Sequence, residues 1–188
     1  SEIRRSMPII AEACGRVQKD HAAQFVIAVA PGVKRDIFEK YSRNGVHWTL
    51  VEDATYDALA AADCAIVSSG TATVEAALLG TPMVVVYRLS RLTATIARRL
   101  VTTSLFAMVN LVSGRRVAPE LIQERFTASA LETELRSLLD SQEARERQKN
   151  DLASVRSKLG LDGAIDRAAE IIAAMLPSNP GGQLTEAL

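Results

Sequence analysis

An α/β fold built on an open parallel sheet, with extra helices at its C-terminal end, is predicted by three observations on this sequence. Short apolar runs alternate with helical patterns from residue 24 to residue 87, and strands separated by helices pair in parallel through right-handed crossovers. One of those runs, residues 64–67, ends abruptly in Ser68, Ser69, Gly70 and Thr71, which open an alanine- and leucine-rich helix. Beyond residue 126 the pattern is helical only. The architecture these features describe is Rossmann-like.

The elements follow in order. Ile3, Met7, Ile10, Cys14 and Val17 keep helical spacing, with a break at Ser6 and Pro8 in the first turn. Residues 24–30 form an apolar strand stopped by Pro31 and Gly32. Residues 34–41 read as a short helix, 46–51 as a half-buried strand and 56–62 as a helix. Strand 65–67, helix 73–79 and strand 83–87 come next, the helix stopping at Gly80 with Pro82 beyond. Residues 92–101 make an apolar and basic helix, and 105–111 an apolar run leading to Ser113 and Gly114. Residues 119–125 read as a helix with Pro119 at its first position. Helices over 128–140, 143–158 and 163–176 follow, with a stop at Gly160. Ile165, Ala168, Ile172 and Met175 line one side of the last, so it is expected to pack against something. Residues 177–188, opening PSNPGG, read as a disordered tail. The predicted organisation is a Rossmann-like lobe over residues 1–126, C-terminal helices over 127–176 and a tail over 177–188. A Rossmann-like unit normally begins with a strand, whereas this chain opens on a helix. Ser1 therefore reads as the start of a fragment, or of a chain whose first strand comes from elsewhere.

Composition narrows the function. A hydrophobic content of 48% with 23% charged residues suits a soluble α/β protein. Aromatics at 4% argue against a carbohydrate-stacking or base-stacking surface. Cys14 and Cys64 make no disulfide framework, so a reducing cytoplasm is the expected setting. No apolar h-region follows residues 1–5, and the apolar stretch 89–112 carries Arg91, Arg98 and Arg99, unlike a membrane span. His21 and His47 match no metal-ligand spacing, and neither the dinucleotide glycine pattern nor the P-loop lysine is present.

Net charge is zero, yet no acidic residue stands between Glu75 and Glu120, an interval holding Arg88, Arg91, Arg98, Arg99, Arg115 and Arg116. Guanidinium groups gathered without carboxylates point to an anionic partner, such as a diphosphate, a sugar phosphate or an anionic membrane surface. A short patch on a neutral chain without interleaved aromatics does not fit nucleic acid. Arg88 directly follows strand 83–87, at the edge where open α/β sheets bind ligands.

Residues 64–82, CAIVSSGTATVEAALLGTP, carry the site. A strand, a small-residue turn and a helix N-terminus offer unpaired N–H groups to phosphate, with Gly70 allowing close approach. Glu75 would repel a phosphate beside it but can accept hydrogen bonds from vicinal hydroxyls, as acids do for ribose. The alternative is a capping box, in which Ser or Thr caps the helix and Glu75 returns the bond. Both readings stand at this point.

Residues 69–88, SGTATVEAALLGTPMVVVYR, and residues 110–123, NLVSGRRVAPELIQ, closely resemble the signature segments of bacterial lipid-A-disaccharide synthases. The opening Ser1, Glu2 and Ile3 does so in lesser degree, and the similarity runs from Ser1 to about Met175. The first segment alone is shared with many two-domain glycosyltransferases; joined to the second it is specific to this family. Val109 stands where many members have proline.

The resemblance implies one lobe of the GT-B fold, the C-terminal, nucleotide-sugar-binding one. The enzyme it implies is an inverting glycosyltransferase joining UDP-2,3-diacylglucosamine to a 2,3-diacylglucosamine 1-phosphate acceptor, with no metal or cofactor. It also implies a strand and a Pro-Gly-Ser-Arg loop before Ser1, and a separate N-terminal lobe with the acceptor site and an acidic general base. Ser69, Gly70, Thr71 and Thr73 match the phosphate-facing turn and Glu75 the ribose acid. Arg88, Asn110, Arg115, Glu120 and Gln123 match further polar donor-site positions. A cytoplasmic enzyme, peripheral at the inner membrane, is expected. The last helix's stripe predicts a homodimer through the C-terminal helices, or local disorder from about Gly160 onward. Two other functions are weighed: a nucleotide-sugar epimerase lobe, which fold alone does not separate but whose expected catalytic acids and histidine are missing from the turn, and a non-catalytic module binding UDP or anionic lipid.

Overall fold

The computed structural model describes residues 2–42, 46–89, 105–160 and 163–175. Its elements are α1 (Glu2–Val17), β1 (Phe25–Val29), α2 (Asp36–Glu39), β2 (Trp48–Glu52), α3 (Thr55–Ala61), β3 (Ala65–Ser68), α4 (Ala72–Leu79) and β4 (Met83–Tyr87). Then come α5 (Met108–Ser113), β5 (Glu120–Ile122), α6 (Ala128–Asp140), α7 (Gln142–Leu159) and α8 (Ala164–Met175). Every strand pair among the described residues is parallel. β1 lies on β2 with Phe25 opposite Trp48 and Val29 opposite Glu52. β4 lies between β3 and β5, with Ala65 opposite Met83, Ser68 opposite Val86, and Tyr87 opposite Ile122. Parallel neighbours need a crossover, and helices supply it. The Rossmann-like arrangement is thus observed.

The compact unit Ser1–Lys158 is covered on both sides of β4. Side chains alternate across a strand. Met83 and Val85 therefore join Ala76 and Ala77 of α4, Val109 of α5, and Leu152 and Val155 of α7. Val84 and Val86 join Ala13 and Val17 of α1 and Leu131, Leu135 and Leu138 of α6. Helix α1 also reaches the other sheet, where Ile3, Met7 and Ile10 pack with Ile27, Val29 and Phe38. One amphipathic helix therefore packs against both sheets.

The local signals explain most boundaries. Gly80 ends α4 at φ +73°, a left-handed conformation, and the Thr81 N–H reaches back to the Ala76 carbonyl at 3.0 Å. Thr127 caps α6 by accepting from the Ala130 N–H at 3.2 Å.

Two expectations are corrected. Helix α1 begins at Glu2 and runs through Pro8 without the break expected at Ser6. Pro8 is exposed while Ser6, Met7, Ala11 and Cys14 are buried, so packing of that stripe outweighs the one backbone bond the proline removes. Residues 119–125 are not a helix but strand β5 followed by a 3-10 turn, Gln123–Arg125. β4 has an edge to fill there, and Pro119 sits where only its carbonyl is needed, accepting from the Val85 N–H at 2.8 Å. The helix expected over 92–101 and the tail over 177–188 lie outside the described residues.

Gln148 of α7, not singled out in the sequence, is buried at the start of β4. Its Nε2 donates to the Met83 and Val117 carbonyls at 3.1 and 3.2 Å, and its Oε1 accepts from the Met83 N–H at 2.8 Å. In the second unit, from Leu159 onward, Ile165, Ile172 and Met175 of α8 are exposed.

Burial, with a contribution from Cys64, pushes the Cys14 thiol from 9.0 up to about 12. Burial, with a smaller contribution from Asp63, pushes Cys64 up to about 11, and Arg145 opposes it. Both groups keep their protons longer in the folded than in the unfolded chain. The stability they contribute is full below about pH 9 and is lost as pH rises through about 11 and 12. Urea midpoints measured above pH 9 should therefore fall less steeply in a Cys14→Ala, Cys64→Ala variant than in the parent chain. Equal slopes would show that these thiols are not the groups responsible.

Candidate functional site

Parallel pairing sends the C-terminal ends of β3, β4 and β5 to one edge, where ligands bind in open α/β sheets. The register fixes which residues meet there. The Ser69 N–H donates to the Val86 carbonyl at 3.1 Å, continuing the β3–β4 ladder into the turn. Arg88 and Gln123 each follow directly on the opposed pair Tyr87 and Ile122. Ser69, Gly70, Thr71, Arg88 and Gln123 thus share this edge. The first turn of α1 adjoins it: the Ser68 hydroxyl donates to Glu2, and Arg5 Nε donates to the Arg88 carbonyl at 3.3 Å. Glu2 belongs to the opening segment that resembles the family, whereas Arg5 carries no sequence signal beyond charge at a helix start.

Gly70 has φ +158°, and where a Cβ would stand there is open space. Thr71 precedes α4 with helical backbone angles and no side-chain capping bond. Among the described residues the half-buried Glu75 carboxylate makes no hydrogen bond or ion pair. The capping box is therefore not formed, and Glu75 keeps its acceptor capacity. Thr73 instead points inward. It is fully buried, donates to the Gly70 carbonyl at 2.8 Å and accepts from the Val109 N–H at 3.3 Å. A proline at position 109 could not make that second bond.

Asn110 and Glu120 lie beneath the turn. Asn110 is fully buried; its Oδ1 accepts from the Val117 and Ala118 N–H groups at 2.8 and 3.0 Å. Its Nδ2 donates to the Ala118 carbonyl at 2.9 Å and to Glu120 Oε1 at 2.8 Å. Two donors and two lone pairs are the whole capacity of an asparagine amide, so Asn110 is saturated within the chain. Glu120 Oε1 also accepts from the Phe106 and Ala107 N–H groups at 3.0 and 2.7 Å. The Phe106 carbonyl in turn accepts from the Ser69 hydroxyl at 3.3 Å.

Two residues carry other signals. Arg115 pairs with Asp151 of α7 at 2.5 Å, and that bond raises its guanidinium above the ordinary value. The acid-free interval of the sequence is therefore not acid-free in space. Arg91, Arg98 and Arg99 lie outside the described residues. Gln123 has φ +54°, left-handed for a residue with a side chain, and its Nε2 is buried without a partner among the described residues. Backbone of that kind costs about 1–3 kcal/mol and clusters at binding and catalytic sites. Beside the edge, Phe106, Met108 and Leu111 expose apolar surface. No described helix is long and apolar enough to cross a membrane.

The arrangement offers a turn open to close approach, an unengaged carboxylate one helical turn further on, and a strand-end arginine. Those groups suit an anion linked to a diol.

The family model described as lipid-A-disaccharide synthetase matches residues 1–175. Three curated relatives, each named lipid-A-disaccharide synthase, are similar to this chain. That of Myxococcus xanthus is 38% identical over 178 residues, 94% of this chain and 46% of the relative. That of Anaeromyxobacter dehalogenans is 41% identical over 173 residues, 90% of this chain and 45% of the relative. That of Acidobacterium capsulatum is 44% identical over 161 residues, 85% of this chain and 39% of the relative. The chain spans about half the length of the curated relatives it matches. On a match that takes in all five described strands and the residues at their C-terminal edge, the chain belongs to the lipid-A-disaccharide synthetase family.

Proposed function

We propose that this chain is the donor-binding lobe of a GT-B glycosyltransferase in lipid A biosynthesis. In this reading the whole enzyme transfers 2,3-diacylglucosamine from UDP, with inversion, to 2,3-diacylglucosamine 1-phosphate. The observation that carries the reading is the unengaged Glu75 carboxylate beside the open Gly70 turn at the sheet's C-terminal edge. Glu75 accepts from the ribose hydroxyls, and residues 69–71 and Arg88 face the diphosphate. Gln123 completes the edge. Departure of UDP develops negative charge on the β-phosphate, and preorganised N–H dipoles with a guanidinium stabilise it without reorganisation. The exposed Phe106, Met108 and Leu111 support acylated substrates and a peripheral place at an anionic membrane.

Calorimetric titration tests the donor site. UDP should bind more tightly than ADP, and Glu75→Gln should weaken UDP by about 1–3 kcal/mol while leaving pyrophosphate nearly unchanged. Equal loss for both ligands would return Glu75 to a structural role.

Transfer needs donor and acceptor held in one geometry. Residues 1–188 correspond to about half of the relatives' length, so this chain alone should form no disaccharide from the two substrates. Product formation by the purified chain would overturn the two-lobe account.

The exposed apolar stripe of α8 supports a homodimer through the C-terminal helices. Light scattering should give twice the chain mass, and Ile172→Glu should return it to the monomer. A monomeric parent chain would remove the proposal.

A further inference from the structure

Thr73, Asn110 and Glu120 form one buried polar chain that runs from the Gly70 turn to the start of β5. Thr73 and Asn110 are fully buried and Glu120 is 4% exposed. The chain passes from the Gly70 carbonyl to Thr73, from Thr73 to the Val109 N–H, and along α5 to Asn110. From Asn110 Nδ2 it reaches Glu120 Oε1, which holds the Phe106 and Ala107 N–H groups; Phe106 closes the circuit by accepting from Ser69. Both ends therefore grip the same turn, at residues 69 and 70. Asn110 has no hydrogen-bonding capacity left for a ligand. Glu120 Oε1 already accepts from three donors, and Thr73 Oγ1 both donates and accepts.

We propose that Thr73, Asn110 and Glu120 are positioning residues, which lock residues 106 and 107 onto the Gly70 turn and set its geometry before nucleotide arrives. The proposal deepens the donor-site reading and rests on it for the identity of the ligand. Its physical basis is that a turn whose carbonyl and hydroxyl are both tied from below presents its N–H groups in one direction without reordering on binding. Preorganisation of this kind removes a cost of binding. A buried polar network of this kind is also rigid, since breaking one of its bonds leaves a buried group unpaired.

The test uses the enzyme at its full encoded length and two readouts. UDP affinity is measured by calorimetry, and hydrogen exchange is followed at the amides of residues 69–75 without ligand. Thr73→Val keeps the side-chain shape and deletes the hydroxyl. It should weaken UDP about tenfold and speed exchange in the turn, while Thr73→Ser restores both. Glu120→Gln keeps one acceptor oxygen but removes the charge that strengthens its three bonds, so any loss of UDP affinity should come with faster exchange at residues 69–75. Thr73→Val with unchanged affinity and unchanged exchange would overturn the proposal. So would a Glu120→Gln enzyme that loses UDP while its exchange matches the parent, because that is the mark of a ligand contact. A parent enzyme that binds no UDP would sink the donor-site reading instead. The exchange data would then still decide whether the polar chain holds the turn.

Discussion

β4 is hydrogen-bonded along both edges and buried on both faces, and the remainder of the compact unit is arranged to make that possible. Residues 83–86 are at most 3% exposed, so each successive side chain must meet apolar cover on alternate sides. Helices α4, α5 and α7 supply one cover, and α1 and α6 the other. Because β3 and β5 run parallel to β4, each connection must cross the sheet's length and return. The three strands consequently end at one edge. The place of the candidate site follows from this constraint before any polar residue is considered, since the Gly70 turn, Arg88 and Gln123 are what follow each strand end.

The interior behind that edge holds polar groups, most of which are satisfied within the chain, the Ser113 hydroxyl excepted among the described residues. Asn110 is saturated, Thr73 is bonded in both senses, and Gln148 pins α7 to the start of β4 through two bonds to Met83 and to the Val117 carbonyl through a third. A buried polar group left unpaired costs about 1–3 kcal/mol, so these bonds are obligatory once β5 has paired with β4. Glu75 and the Nε2 of Gln123 stand apart from that closed network. Capacity kept open at the sheet edge, next to capacity filled beneath it, is the pattern expected when a ligand completes the site. Gln123 adds backbone strain at the same place, which persists only where the surroundings over-determine it.

Charge is organised over longer distances than the chain order suggests. Arg16 bridges Glu12 of its own helix and Glu132 of α6; Arg136 bridges Glu132 and Asp20; Arg115 meets Asp151. These pairs are exposed or half-exposed, and solvent screening leaves them little net stability. Their consequence is in the field they leave. Arg115 is engaged by Asp151, so the positive character of the edge rests on Arg88 and the adjoining Arg5 among the described residues.

The sequence by itself determined the elements whose signals are short-range. Residues 83–87 form β4 because five apolar residues, three of them valine in a row, fit a strand buried on both sides. Gly80 closes α4, Thr127 opens α6, and the period of residues 128–140 is that of the helix observed there. The small-residue turn after β3 was legible for the same reason. Tertiary structure decided whatever depended on a partner far along the chain. Residues 120–122 carry helix-compatible side chains and became a strand only because β4 had an unfilled edge. Pro8 stayed within α1 because the stripe beside it is buried. Arg115 found Asp151 across 36 positions, and Asn110 and Glu120 turned inward because the backbone groups of residues 106, 107, 117 and 118 had to be satisfied. Periodicity and punctuation are written residue by residue, whereas the choice of partner is set by the topology that brings distant segments together.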